Sequence, residues 1–426
     1  MYIREFSIKN VRSFTGFCWK LNKDDPHAGW HVLLGDNGAG KSTILKSCAL
    51  ALLGARGPVA LHLDWRDWVR QGQDIGSISL ELEQDETWDN WSGKGRPAAN
   101  SHLFLNLKID QSGFNSSLSS MREKHAQRTI WGDGEGWFSA SYGPFRRFSG
   151  GNPDRERMFY SMPKVARHLS IFGEDVALTE TLSWLKDLHY EQLDARSRGL
   201  PEEQCGFLPL VKDFINQSGL LPNCTVLVDV NPKGVVFNDS AGHKILIESL
   251  SEGYRSVLSM TLELVRQLAL VYSPEKLFSS DRSTIIAPGV VFIDEVDVHL
   301  HPRWQRSIGS WMTKHFPNIQ FIVTTHSPLV CQGAMPGTVT RLPQPGVEDD
   351  KGERIAGVAL DRLLYGDILE AISSGAFGSG IERSEEGQQK LQRLALLNRK
   401  ARRQGLDDHE TEERQRLQAI FGSDPD

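Results

Sequence analysis

The chain has 426 residues, 39% of them hydrophobic and 24% charged, and a formal net charge of −6; this is ordinary globular composition, predicts two to three domains, and lends nucleic-acid binding no support from bulk charge. Its five cysteines (Cys18, Cys48, Cys205, Cys224, Cys331) are scattered and include no C-x-x-C pair, which argues against a disulfide framework or a zinc site and for reduced thiols in the cytoplasm. No run approaches eighteen apolar residues, and the start (MYIREFSIKNVRSF) alternates instead of forming a signal peptide's apolar stretch, so a cytoplasmic protein with no membrane contact is expected.

In chain order, Ile3 to Leu21 has period-two patterning and predicts one or two strands. Trp30 to Gly35 (WHVLLG) is a short apolar run ending in glycine, a buried strand entering a turn, and Lys41 to Gly54 is rich in helix formers and stops at a glycine. Gly76 to Gln84 and Leu103 to Ile109 alternate like strands of an antiparallel sheet, with a polar loop from Thr87 to Ser101 between them. Asp154 to Gly219 is more helical, with an amphipathic stretch from Leu178 to Leu193. Three short strands follow (Thr225 to Val230, Gly234 to Asn238, Lys244 to Glu248), then a helix from Ser251 to about Tyr272. An apolar strand (Gly289 to Ile293), a helix (Trp304 to His315) and another apolar strand (Ile319 to Val323) come next, and beyond Arg383 the chain is very polar with weak helical periodicity.

Two motifs carry chemistry on their own residues. Gly35-Asp36-Asn37-Gly38-Ala39-Gly40-Lys41-Ser42 fits G-x-x-x-x-G-K-[ST] in full, between a predicted strand and a predicted helix. Its glycines let the backbone curl so that N–H groups point at phosphate oxygens, and the helix N-terminus adds its dipole. Gly35, Asn37, Gly38, Gly40, Lys41, Ser42 and Thr43 are therefore the candidate ATP-binding residues, with Lys41 reaching the phosphates and the Ser42 hydroxyl on Mg²⁺. Second, Gly289 to Ile293 delivers Asp294 and Glu295 at a strand's C-terminal end, where open α/β sheets bind ligands. Adjacent carboxylates there point different ways and can divide the work. Asp294 is the expected Mg²⁺ partner and Glu295 the expected general base toward the attacking water.

Two further motifs bring in a family. Leu250-Ser251-Glu252-Gly253-Tyr254 resembles the signature of ABC-type ATPases, usually LSGGQ, and departs from it at the third and fifth positions. Thr324-Thr325-His326-Ser327-Pro328 looks like the switch-histidine motif of the same family. The resemblance implies that Ser251 and Gly253 contact the γ-phosphate of nucleotide held by a second copy, and that His326 contacts that phosphate or the attacking water. The start (IKNVRSF), the run FIDEVDVHLHPRWQ and the TTHSP block are similar to ATPases grouped with the OLD nucleases, RecF and the SMC-like repair proteins. Within that group the IDE-x-x-x-HLHP run resembles stand-alone or nuclease-paired ATPases, many from antiphage systems such as Septu, PARIS and retrons.

The resemblance implies an α/β fold: a P-loop NTPase head of ABC type with a mixed central sheet, an antiparallel β subdomain and a helical lid insertion. The expected divisions are an N-terminal ATPase lobe (1–149), the insertion with its returning strands (150–247), a C-terminal ATPase lobe (248–345) and a polar helical segment for partner binding (346–426). It further implies that Arg12 approaches nucleotide and that Asp297 lies in a dimer-contacting loop. The Q-loop glutamine stays open: Gln71 and Gln73 come early, and Phe138 to Arg147 (FSASYGPFRR) sits at the expected place without a glutamine. Arg146 and Arg147 are candidates for phosphate or DNA contact, against a simple solvated role. The expected function is an ATPase that dimerises over ATP, as a homodimer or higher even oligomer, and gates or senses for a separate effector, a nuclease, in antiphage defence. The alternative is a DNA-repair ATPase of RecF or SMC-like type clamping DNA. A transporter subunit fits less well.

Weaker signals carry less. His299 and His301 form a histidine pair without a third ligand, so a structural role is expected. No G-x-S-x-G elbow supports serine hydrolysis. The Asp424 and Asp426 pair reads as a solvated tail, and Arg399 to Arg403 as a solvated helix face or partner segment.

Overall fold

A computed structural model of the chain describes residues 1–57, 61, 67–94, 102–110, 117–121, 123–146, 161–173, 179–201, 206–221, 225–231, 234–347, 350–366 and 385–421. The strands are β1 (Tyr2–Val11), β2 (Phe14–Lys20), β3 (Gly29–Leu34), β4 (Ile75–Glu83), β5 (Leu103–Asp110), β6 (Ser117–Met121), β7 (Ser139–Tyr142), β8 (Val226–Asn231), β9 (Gly234–Asn238), β10 (Lys244–Leu246), β11 (Gly289–Ile293), β12 (Ile319–Thr325), β13 (Gly337–Arg341) and β14 (Glu353–Ile355). The longer helices are α1 (Lys41–Leu53), α2 (Thr179–Ser197), α3 (Leu208–Gln217), α4 (Glu252–Val271), α5 (Pro302–His315), α6 (Gly357–Tyr365), α7 (Glu385–Arg403) and α8 (Asp408–Phe421).

The central sheet is mixed, in the order β14-β13-β3-β12-β11-β7. Its strands from β13 to β7 run parallel, and β14 closes one edge antiparallel. The parallel strands are apolar runs because both faces are covered. Trp30, Val32, Val291, Ile293, Phe321 and Val323 face one core with residues of α2, α3 and α4. Leu33, Val290, Phe292 and Ile322 face the other with α1. An antiparallel sheet, β2-β1-β4-β5-β6, packs on the far side of α1. Sandwiched this way, α1 is buried on nearly every side, which explains why its sequence lacks a polar face. Buried Gln320 of β12 ties the two sheets: its amide oxygen accepts from the Ile3 N–H at 2.7 Å and its amide nitrogen donates to the Ile3 carbonyl at 2.9 Å.

The α/β architecture with mixed central and antiparallel sheets is as the sequence predicts, with differences in detail. The strand expected over Lys244 to Glu248 ends at Leu246 and turns into a 3₁₀ helix, Ile247–Ser249. Strands β6, β7, β13 and β14 carry too little periodic signal to be anticipated. In β7 the reason is visible: Ser139 and Ser141 are buried and hydrogen-bond the two ring nitrogens of His168 (3.0 and 2.5 Å), so polar residues occupy core positions. The C-terminal polar region forms α7 and α8, which share a small cluster of Leu394, Leu397 and Leu417 and are joined by Arg393–Glu413 at 2.8 Å. Among the described residues no helix is long and apolar enough to cross a membrane. Cys205, Cys224, Arg147, the Asp424 and Asp426 pair, and much of the insertion from 150 to 178 lie outside the described residues.

Candidate nucleotide-binding site

The register brings three motifs to one edge. Leu34 of β3 pairs Thr325 of β12, and Val323 of β12 pairs Ile293 of β11, all parallel. Gly35, Asp294 and His326 therefore leave adjacent strands at the same end of the sheet, about 5 Å apart strand to strand.

The phosphate loop is built almost entirely from its own residues. Gly38 and Gly40 have φ of 85° and 87°, the left-handed region that glycine enters freely. Gly40 is also pressed against Phe14 from the β1–β2 hairpin: a Cβ there would sit 2.3 Å from the ring. The Lys41 side chain folds back, donating to the carbonyls of Gly35 (2.8 Å) and Asp36 (3.1 Å). Lys41 is 5% exposed and forms no ion pair among the described residues. Asn37 and Gly38 are exposed, Ser42 is half-buried and Thr43 is buried. The start of α1 has no side-chain cap, so its first N–H groups stay available to a ligand. A buried, uncompensated ammonium beside uncapped helix amides suits a polyphosphate.

The acidic turn is assembled from distant segments. Asp294 is 2% exposed, and its carboxylate accepts from the Thr324 hydroxyl at 2.6 Å. The same hydroxyl accepts from the Glu295 N–H at 2.8 Å. Glu295 is half-buried with φ of 45°, a left-handed conformation unusual for a residue with a side chain. The Asp297 carboxylate accepts from the Thr325 hydroxyl and lies 3.3 Å from His326 Nε2. Its carbonyl, with that of Leu300, accepts from the Gln305 amide, whose oxygen accepts from the Ser327 hydroxyl at 2.8 Å. His326 itself is 57% exposed at the sheet edge.

Arg146 does not turn outward toward phosphate or DNA. It is 6% exposed, and its guanidinium donates to the carbonyls of Gly143, Asp294, Glu295 and Val296. Burial pulls its pKa down to about 10, against the opposing pull of Asp294, Asp297 and Glu295. The segment at the expected Q-loop place, Phe138 to Arg147, contains β7, where the Tyr142 carbonyl accepts from the Asp294 N–H at 2.8 Å. Gln73 lies elsewhere, accepting from the Asn10 amide at 3.2 Å. It shares a polar cleft with Gln71 and Arg12. The Arg12 guanidinium sits 4.5 Å from the centre of the Trp68 ring, two residues from the Phe14 that abuts Gly40.

Ser251 caps α4 by position, with extended backbone and no side-chain cap bond, and is exposed. Gly253 packs so closely on the loop after the acidic turn that a Cβ would lie 2.7 Å from the His299 carbonyl. No hydrogen bond or ion pair among the described residues joins Ser251 or Gly253 to the phosphate loop. His301 caps α5, its Nδ1 accepting from the Arg303 N–H. Among the described residues no group of three or more His, Cys, Asp or Glu side chains could hold a metal. The residues that sequence reasoning passed over are Thr324, Thr325 and Gln305. The only signal for the threonines was their place directly before His326.

The sequence profile of the family described as "AAA domain, putative AbiEii toxin, Type IV TA system" matches residues 79–332, from β4 past the switch-like histidine. The chain belongs to this family. With that match and the loop-strand-helix geometry above, this AAA domain is an ATPase domain. The Septu protein PtuA of Bacillus mycoides (strain KBAB4) is 26% identical over 345 residues, 80% of this chain and 40% of that protein. The Escherichia coli "Retron Ec83 probable ATPase" is 41% identical over 93 residues, 22% of this chain and 16% of that protein. The AAA-domain chain thus spans less than half the length of these curated relatives. An SMC head solved with the C-winged helix domain of ScpA superposes with a TM-score of 0.49 at 15% identity, covering 83% of this chain and 98% of that one.

Proposed function

We propose that the chain binds ATP with Mg²⁺ and hydrolyses it, that two copies close over the nucleotide, and that the closed state gates a separate effector, a nuclease, in cytoplasmic antiphage defence. The observation that carries this reading is the shared sheet edge: a buried lysine with no ion pair among the described residues, an uncapped helix, two carboxylates and an exposed histidine meet there. In this reading the amides of Gly35, Asn37, Gly38, Gly40 and Thr43 hold phosphate and Lys41 neutralises it, while the Ser42 hydroxyl and Asp294 hold Mg²⁺. The metal, when bound, offsets charge on the phosphates. Glu295 takes the proton of the attacking water, His326 orients it, and Arg12 approaches the nucleotide from the β1–β2 hairpin. Ser251 and Gly253 serve the nucleotide of the other copy. The exposure of Ser251 at an uncapped helix start, with no hydrogen bond among the described residues to its own phosphate loop, supports that assignment.

The likeness to Septu PtuA and the retron ATPase supports the defence setting, and the segment from 346, with the α7–α8 hairpin, is the proposed partner contact. Glu295→Gln should keep ATP bound, lower turnover by about 100-fold or more and accumulate a dimer on size exclusion with ATP. Lys41→Ala should lose nucleotide binding. Normal turnover in Glu295→Gln would remove Glu295 from its role. Strong stimulation of turnover by linear DNA, with no effector co-purifying, would favour a DNA-clamping repair protein instead.

A further inference from the structure

The acidic turn has an unusual keeper. Glu295 carries a side chain in the left-handed region at φ 45°, a conformation that persists only where surroundings impose it. Arg146 supplies that imposition. Its Nη1 donates to the Asp294 carbonyl at 3.0 Å and its Nη2 to the Glu295 carbonyl at 3.1 Å, with Val296 at 3.4 Å and Gly143 at 3.2 Å. Three successive carbonyls can face one cation only if the backbone curls around it, which is the curl that Glu295 adopts. A planar fork of five donors holds several carbonyls at fixed angles; a lysine's three rotatable N–H donors on a flexible stem fix no such angles.

The same residue reaches the helix that starts at the signature-like motif. Arg146 Nε donates to the Ser256 hydroxyl at 3.4 Å, and one turn's face along α4 the Ser259 hydroxyl donates to the Arg146 carbonyl at 3.4 Å. Helix α4 begins one residue after Ser251. A displacement of that end therefore moves the atoms that Arg146 touches.

We propose that Arg146 is a positioning residue: it holds Glu295 in its left-handed conformation and mechanically links the acidic turn to the signature helix. The proposal rests on the reading of Glu295 as the base. Its acceptors are all neutral oxygens, and it is buried behind the turn at 6% exposure, so it acts through the turn and not on phosphate.

The test compares wild type, Arg146→Lys and Arg146→Ala in ATP turnover and in hydrogen exchange. Arg146→Lys should lower kcat by about 10- to 100-fold, the scale of a misplaced catalytic group, with KM changed less than about threefold. Amides of residues 294–298 should exchange faster while those of β11 and β12 stay protected. Added guanidinium ion should restore part of the rate in Arg146→Ala, and urea at equal concentration should not. Neither should restore Glu295→Gln. If Arg146→Ala does not fold, Arg146→Lys carries the comparison. Wild-type kcat in Arg146→Lys, or unchanged exchange at 294–298, would overturn the proposal. So would a fall in kcat matched by a general loss of protection without guanidinium rescue, which marks a merely structural arginine. A wild-type chain without turnover would instead sink the ATPase reading, while the exchange measurement still judges the clamp.

Discussion

The phosphate loop and the acidic turn stand at the same sheet edge but are made differently. The loop is largely self-contained: its glycines set its curl and its lysine bonds its own carbonyls, while Phe14 presses on Gly40 and Leu342 and Pro345 lie beside Gly35 and Gly38. The turn is held from outside, by Arg146 on one side, Thr324 and Thr325 on another, and Gln305 beneath. A self-contained loop is a motif that can be read in eight residues. A turn gripped by three distant segments is legible only as two carboxylates after a strand. The difference also predicts how each fails: the loop through its own backbone, and the turn through residues far away in sequence.

Among changes aimed at how each region is built, the largest effect should come from Gly40→Ala. The new methyl meets the Phe14 ring at 2.3 Å in a backbone with φ of 87°. Left-handed strain alone costs about 1–3 kcal/mol, and the clash forces the loop or the hairpin to move. ATP affinity, measured by titration, should fall by more than tenfold. The double variant with Phe14→Ala should recover the part owed to the clash and keep the part owed to φ. Full recovery would mean that the left-handed backbone matters little, and the loop would be less self-contained than argued.

Thr324→Val makes the opposite kind of cut, at a residue 30 positions from Asp294. The shape is kept, but the buried Asp294 carboxylate loses a donor and the Glu295 N–H loses an acceptor. Unmet buried groups cost about 1–3 kcal/mol each, so a destabilisation of about 2 kcal/mol is expected in urea unfolding. Turnover should drop about tenfold while ATP affinity changes by less than about threefold. A loss of affinity as large as that of Gly40→Ala would erase the distinction between the two regions.

The same contrast explains what was legible. The apolar strands, the phosphate loop and the long helix after Ser251 announce themselves by local pattern, and so did the α/β class and the family likeness. Strand β7 did not, because its serines are core residues only once His168 arrives from 27 or more residues away. Strands β13 and β14 are short and take their place from pairing with β3 and with each other. Arg146 looked like a surface cation because an arginine between Phe145 and the residues after it gives no sign that five carbonyls await it. Burial of a charge is a tertiary fact, and no window of sequence contains it.

Two buried histidines sharpen the comparison, because one braces the strand that leads into the phosphate loop and the other the strand beside the one that leads into the acidic turn. His31 in β3, below the phosphate loop, bonds Thr338 at 3.0 Å and the His27 carbonyl at 3.1 Å, and burial pushes its pKa down to about 4. His168 braces β7, the neighbour of β11, and burial aided by Arg167 pushes its pKa down to about 3. Both stay neutral in the folded chain, whereas in the unfolded chain they take up a proton near pH 6.5. Their contribution is therefore complete above pH 6.5 and is lost as pH falls toward 4 and 3. Each contributes a slope of about 1.4 kcal/mol per pH unit in that window. Urea midpoints measured from pH 7.5 to 4.5 should show this decline, shallower in His31→Gln and in His168→Gln than in wild type. At pH 7.5 His31→Gln should weaken ATP binding more than turnover, and His168→Gln the reverse. Equal effects of the two on both quantities would show that the sheet transmits strain evenly, and that the two regions fail together.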